Sequence, residues 1–333
     1  MVETRKVQVT GGSTYTVSIP KDWANENGVS AGSTVEFYPE GDSLFLTPKS
    51  EDERTEGTLD IAGLEGDELT RAVMTMYVSG FDIIALENSR ITNDQRRTIR
   101  QATQSLVGLE VLEETRDRVV IRDLLDSSEL SIHNAVTRMR LIALSMLEDA
   151  VLALAERDED MARDVIQRDD DVDRLYMVVS RIFRATLRTP KAAEELGLPR
   201  EGCFDYHSCA RQLERIADHA TKIAHLTLSL EEPVPEDVAE ALEELFAEAR
   251  KVVDAGMDAL FEEDNVEATR MANDARESVQ VIDERARAID ELLRELDPAR
   301  AQMVGLIVDS VSRSADYGGN IAETALQKAA PTP

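Results

Sequence analysis

From residue 131 onward the chain repeats itself. The stretch "LEDAVLALAERDEDMA" (147–162) aligns with "VDAGMDALFEEDNVEA" (253–268) at a shift of 106 residues, and "RIADHATKIA" (215–224) aligns with "RSADYGGNIA" (313–322) at a shift of 98. The eight-residue difference matches the longer connection "TPKAAEELGLPREG", present only in the first copy. Within each copy the apolar residues recur at helical spacing. Leu213, Ile216, Ala217, Ala220, Ile223 and Ala224 form one inward stripe. Breaks fall at 188–200, at 231–235 and at Pro298. Each copy therefore reads as a helix trio, 131–230 and 235–330, and two trios make an all-α bundle.

Aromatic residues make up only 4% of the chain against 42% hydrophobic residues, so packing rests on Leu, Val, Ile and Ala. With 66 acidic and 37 basic residues the formal charge is −29, and only seven of the basic residues are Lys. Such self-repulsion is relieved by strong screening in concentrated salt, which points to a halophile's cytoplasm. Cys203 and Cys209 are too few for a disulfide framework or a Cys-rich zinc site. No basic-then-apolar leader and no uncharged apolar run of 18 residues occurs, so neither export nor membrane insertion is expected.

The acidic excess is smallest at the N-terminus, where residues 1–49 hold 4 basic and 6 acidic groups. "RKVQVT" and "TYTVSIP" alternate at period two around "GGS". Pro20 stands where a helix over "KDWANEN" would start, and "STVEFYP" and "SLFLTP" make a second hairpin. A segment this short buries too little surface alone, and an intertwined dimer is the natural remedy. A charged linker is expected over 50–57. Residues 58–126 then alternate strand and helix as a small βαβαββ domain of unassigned role. Arg96, Arg97 and Arg100 on its second helix read as an exposed face balancing local acid, and no Gly-rich phosphate loop opens either helix.

In the duplicated region one helix face carries Glu214, Asp218, Thr221 and His225; the matching positions are Ser312, Asp316, Gly319 and Glu323, with Asp309 one turn before Ser312. Carboxylates four residues apart repel, so a clustered pair calls for a cation, an Arg or a metal such as iron, manganese or zinc. The alternative is a solvated acidic face. His133, His207 and His219 show no zinc-hydrolase spacing, and no catalytic constellation emerges, so no enzyme activity is expected.

"LERIADHATKIA" (213–224) resembles the signature of the PhoU family, whose members are built from two repeated three-helix bundles; length, duplication and motif position agree across 131–330. In that family the phrase carries a Glu/Asp-x-x-x-Asp pattern that some members use to bind iron or zinc. The resemblance implies such ligands at Glu214 and Asp218. In the second copy Asp316 is retained, Ser312 replaces the first carboxylate, and Asp309 stands as its substitute. Residues 4–48 resemble the AbrB/SpoVT/MazE swapped-hairpin DNA-binding family through "RKV", the glycine turn, "IPK" and "GVSAGS". That likeness implies a homodimer contacting DNA through Arg5, Lys6 and Lys21, with Ser13 and Thr14 as neutral donors where the family usually has Gly-Arg. The expected architecture is multidomain: an N-terminal swapped-hairpin domain, a small α/β domain and a duplicated three-helix bundle. Its expected function is a cytoplasmic DNA-binding regulator of phosphate uptake. Expected partners are DNA, a second copy, and the phosphate transporter ATPase with its signalling proteins. An adaptor acting only on the transporter, with the N-terminal domain used for dimerisation, is the alternative.

Overall fold

The computed structural model describes residues 3–49, 54–124 and 131–331, in two compact units, Met1–Arg54 and Thr55–Pro333. In the first unit, β1 (Gln8–Thr10) and β2 (Thr14–Thr16) pair antiparallel across Gly11 and Gly12, whose φ values of 66° and 86° form the turn. Helix α1 (Lys21–Glu26) follows, and β3 (Val35–Glu40) and β4 (Ser43–Pro48) form the second hairpin. Two expectations are corrected. The first strand starts only at Gln8, so Arg5 and Lys6 precede it; its register with β2 covers three pairs, from Gln8–Thr16 to Thr10–Thr14. Pro20 is the cap of α1 and not its first residue: its ψ of 129° is extended, and its carbonyl accepts the Ala24 amide at 3.0 Å.

The first unit buries very little. Tyr38 is its one buried apolar side chain among the described residues, while Val7, Val9, Tyr15, Val17, Phe37 and Leu44 are exposed.

The second unit opens with β5 (Glu56–Asp60), which starts inside the expected linker; residues 50–53 of that linker lie outside the described residues. Helix α2 (Gly66–Val78), β6 (Ile83–Glu87), α3 (Asn93–Gln104), β7 (Leu109–Glu114) and β8 (Arg118–Asp123) complete the βαβαββ domain. The sheet order is β5-β6-β8-β7, with β5 and β6 parallel and the rest antiparallel. Thr92 and Gln95 close a capping box at the start of α3, and Gln95 Nε2 also donates to the Ile61 and Leu64 carbonyls at 3.1 Å. Arg96 and Arg100 pair with Glu114 and Arg97 with Asp94, the local balancing of acid that their setting called for.

Helices α4 (Ile132–Glu156), α5 (Glu159–Arg188) and α7 (Arg200–Ser229) form the first trio; α8 (Glu236–Phe261), α9 (Asn265–Leu293) and α10 (Pro298–Ala329) form the second. A short helix, α6 (Pro190–Leu196), fills the longer connection of the first copy. The duplication extends to the caps, since Asp158 and Asp264, 106 residues apart, each accept backbone amides at the start of α5 and α9. One continuous core unites the trios, lined by the expected stripe from Leu213 to Ala224. His219 and Tyr317, equivalent at the shift of 98, meet at 3.2 Å (Nε2 to the hydroxyl), which places the pseudo-two-fold between α7 and α10. Gly256 on α8 and Gly318 on α10 mark a crossing of near backbone contact.

Arg181 ties the α/β domain to the bundle. Arg181 of α5 donates to the carbonyls of Tyr77 (2.7 Å) and Phe81 (3.1 Å) at the end of α2. It also pairs with Asp82 (2.9 Å) and Asp123 (2.8 Å). Its guanidinium lies 5.0 Å from the Tyr77 ring centroid, and Met177, one turn earlier, packs against the α/β core.

Candidate functional site

Helix α7 packs along α5, and this packing brings Glu214 and Asp218 opposite two residues the motif did not include, Asp169 and Asp173. All four are electrostatically coupled. Burial first, then the charges of Asp218 and Asp173, push the Glu214 carboxyl up to about 7, against the pull of Arg211 and Arg215. Burial and the charges of Asp169, Asp218 and Asp170 raise Asp173 to about 6. Asp169 and Asp218 shift upward as well, chiefly through burial. Arg211 Nη1 reaches Glu214 Oε1 at 3.3 Å, but Glu214 Oε2 is buried without a hydrogen-bond partner among the described residues. Leaving such an oxygen unsatisfied is costly, and a proton or a cation relieves that cost.

The donor set is oxygen-rich, with Thr221 beside Asp169 and His225 nearby. Such a set suits a hard, oxygen-preferring dication better than zinc, which favours nitrogen and sulfur. Among the described residues, no three His, Cys, Asp or Glu side chains stand close enough together to hold one ion. The cluster is an acidic patch only partly offset by Arg211 and Arg215.

The second copy is different in kind. At the shift of 106, Asp169 and Asp173 correspond to Ala275 and Val279, and Ser312 takes the Glu214 position. The replacement is visible in space: a Cβ on Gly319, the twin of Thr221, would lie 3.2 Å from Val279 Cγ2. Asp309 and Asp316 flank Arg313 at 3.7 and 3.5 Å; burial raises Asp316, which also feels Asp283 and Asp309. Ser312 Oγ is buried and unpartnered among the described residues. The structure therefore gathers Glu214 and Asp218 into a four-carboxylate cluster and leaves Asp309 and Asp316 around an arginine. A signal for the missed pair was present in "RDDDVD" (168–173), where Asp169 and Asp173 have the same four-residue spacing. Only the facing of α5 and α7 separates them from Asp164 and Asp171, which pair with Arg168 and Arg174.

A pH dependence follows. Glu214 and Asp173 bind protons more tightly folded than unfolded, so their contribution to stability is full below the ordinary carboxylate range. It is lost as pH rises through about 6 to 7. E214Q, which keeps the shape without the charge, is expected to be about 1–2 kcal/mol more stable than wild type at pH 8 and equal to it near pH 4. Urea melts at the two pH values measure this difference, and a gain that is the same at both would remove the electrostatic account.

In the first unit Arg5, Lys6, Ser13, Thr14 and Lys21 are all exposed. Ser13 and Thr14 sit at the β1–β2 turn, Lys21 opens α1, and Arg5 is ion-paired to Glu3. No helix among the described residues is long and apolar enough to cross a membrane.

Duplicated trios with a carboxylate-bearing α7, joined to a small hairpin module, define a class: a helical-bundle protein with a separate N-terminal module. Residues 136–227 match the PhoU domain, and residues 8–54 match the family described as antidote-toxin recognition MazE, bacterial antitoxin. The chain is thus similar to PhoU domains over its first helix trio and to the MazE family in its N-terminal unit. It is 25% identical over 143 residues to the phosphate-specific transport system accessory protein PhoU homolog of Clostridium acetobutylicum, a match covering 42% of this chain and 64% of that relative. The chain thus spans a little under two thirds of the length of that relative. It is 27% identical over 196 residues to PhoU homolog 1 of Thermotoga maritima, covering 56% of this chain and 81% of the relative. The crystal structure of PhoU from Pseudomonas aeruginosa shares the fold, with a TM-score of 0.50 and 22% identity over 59% of this chain and 93% of that one.

Proposed function

We propose that this protein regulates phosphate uptake by coupling a PhoU-type bundle to DNA through its N-terminal module. The observation that carries the reading is the joining of a PhoU domain to a MazE-like unit whose apolar strands stay uncovered in a single copy. Val7, Val9, Tyr15 and Val17 are covered if two copies interleave, and dimerisation doubles the exposed Arg5, Lys6 and Lys21 along the phosphate backbone. The relatives named as phosphate-specific transport system accessory proteins support the second half of the reading: the bundle answers to the phosphate transport system. The Asp169, Asp173, Glu214 and Asp218 cluster is its responsive site. Protonation there, or a cationic group of a partner, would relieve the carboxylate repulsion and hold α5 against α7.

The double reversal R5E/K6E is expected to weaken retention of phosphate-transporter promoter fragments by at least about tenfold and to flatten its salt dependence, since four phosphate contacts per dimer are lost. Retention assays in molar salt measure both quantities. Unchanged retention would favour a second reading, an adaptor that acts on the transporter alone and dimerises through its N-terminal unit. The Arg5–Glu3 ion pair and the acidic excess of residues 1–49 are the observations on that side.

A further inference from the structure

The α/β domain is fastened to the bundle in a different way from the two trios to each other. The trios share one continuous apolar core. The α/β domain has a separate core, and Met177 is the one apolar bundle side chain packed against it among the described residues. The rest of the joint is polar. Arg181 of α5 occupies its middle, between the carboxylates of Asp82 and Asp123 and the carbonyls of Tyr77 and Phe81. Arg188, two turns further along α5, lies over Gly80, where a Cβ would stand 3.2 Å from its Nη1.

One carboxylate connects this joint to the point where the chain enters the domain. Asp82 Oδ1 accepts from Arg181 Nη2 at 2.9 Å, while Asp82 Oδ2 accepts from the Thr55 amide at 2.7 Å and from the Thr55 hydroxyl at 2.9 Å. Thr55 is the first residue after the N-terminal unit. Separating the domain from α5 therefore moves the point at which the N-terminal unit is attached.

The trio itself does not require the joint. At the shift of 106, Arg181 corresponds to Arg287 and Met177 to Asp283. Arg287 is exposed and makes no ion pair or hydrogen bond among the described residues. The second copy thus keeps the arginine without the partners.

The energetics favour a joint that can open. Separation uncovers little apolar surface, because only Met177 reaches the α/β core. It also returns an arginine and two carboxylates to water, and their recovered hydration offsets much of the lost attraction. Small polar interfaces between domains of one chain leave relative motion as the default expectation. The two trios, by contrast, cannot part without exposing their common core.

We infer that the α/β domain is a hinged arm with a docked and a released position, latched by Arg181, and that release carries Thr55, the attachment point of the N-terminal unit, away from α5. Both positions are properties of the second unit alone, whatever the N-terminal unit binds. A ligand or partner shifts the arm only by the difference in its affinity for the two positions.

Small-angle scattering of the full-length protein at one concentration in molar salt tests the arm, with R181M, M177D and R287M beside wild type. M177D puts on α5 the residue type that the second trio carries there and leaves Arg181, Asp82 and Asp123 in place. R287M alters the twin that lacks partners. R181M and M177D are each expected to raise the radius of gyration by about 5–10%, and R287M to match wild type. Amide exchange separates swinging from unfolding: Leu69 and Ile99, in the α/β core, are expected to keep their protection in both variants. A radius of gyration unchanged in R181M or in M177D overturns the arm. So does a rise accompanied by lost protection at Leu69 and Ile99, because the domain then unfolds in place of swinging. An equal rise in R287M would assign the effect to the loss of any arginine and overturns it as well.

Discussion

Gly318→Val is expected to lower stability by about 3 kcal/mol, because the α8–α10 crossing leaves no room for a side chain. A Cβ at Gly318 would lie 2.8 Å from Val253 N and 2.9 Å from Val253 Cα, and one at Gly256 would lie 2.7 Å from the Gly318 carbonyl oxygen. These neighbours are backbone atoms of packed helices and cannot turn aside as a flexible side chain does. Alanine at the same position gains about 1 kcal/mol of helix propensity, which offsets part of the overlap, so G318A falls between wild type and G318V. The adjacent Gly319 predicts the opposite sign. Its Cβ would meet only Val279 Cγ2, at 3.2 Å, a methyl group that can give way, so G319A is expected to be neutral or slightly stabilising. Thermal melts of the two variants side by side decide the matter. A G318V melt that coincides with wild type would show that the helices part freely at this crossing.

Loss of Arg181 is expected to loosen the α/β domain without unfolding the bundle. The guanidinium is only 13% exposed and the Asp123 side chain 6%, so the charges attract through a poorly screened medium. Removing one partner of such a pair costs on the order of 3 kcal/mol. The consequence lies where the chain enters and leaves the α/β domain. Asp82 accepts from the Thr55 amide at 2.7 Å and from the Thr55 hydroxyl at 2.9 Å, and the Asp82 carbonyl accepts the Asp123 amide at 2.8 Å. Thr55 begins the second unit, directly after the N-terminal one. One side chain on α5 therefore grips both ends of the domain, and the same helix carries Asp169 and Asp173. In R181M, amide exchange at Thr55 and Asp123 is expected to rise by about a hundredfold while α8 to α10 keep their protection. R181K keeps the charge but not the fork that reaches two carbonyls and two carboxylates, and should fall between. Exchange at Thr55 and Asp123 that does not change in R181M would show that other α5 contacts, among them Met177, hold the domain.

How far the sequence reaches can be judged from these residues. Glu214 and Asp218 were legible because four-residue spacing is a local property of any helix. Their partners Asp169 and Asp173 were not, since several acidic residues between 158 and 173 share such spacings and only the packing of α5 on α7 selects two of them. Likewise, the shift of 98 predicted that His219 and Tyr317 are equivalent, but not that equivalent residues touch. In the N-terminal unit, alternation predicted both hairpins, yet the first strand begins three residues after Arg5, because its register with β2 spans only Gln8 to Thr10 against Thr16 to Thr14.

Periodicity, cap residues and internal duplication are short-range signals, and they suffice for the element order, the division into N-terminal, α/β and helical parts, and the trio architecture. Which carboxylates face one another, why a side chain at 318 meets backbone while one at 319 meets a methyl group, and how Arg181 joins two domains all depend on helices brought together from distant parts of the chain. Those pairings are set by the fit of buried surfaces in three dimensions, and no local spacing encodes them.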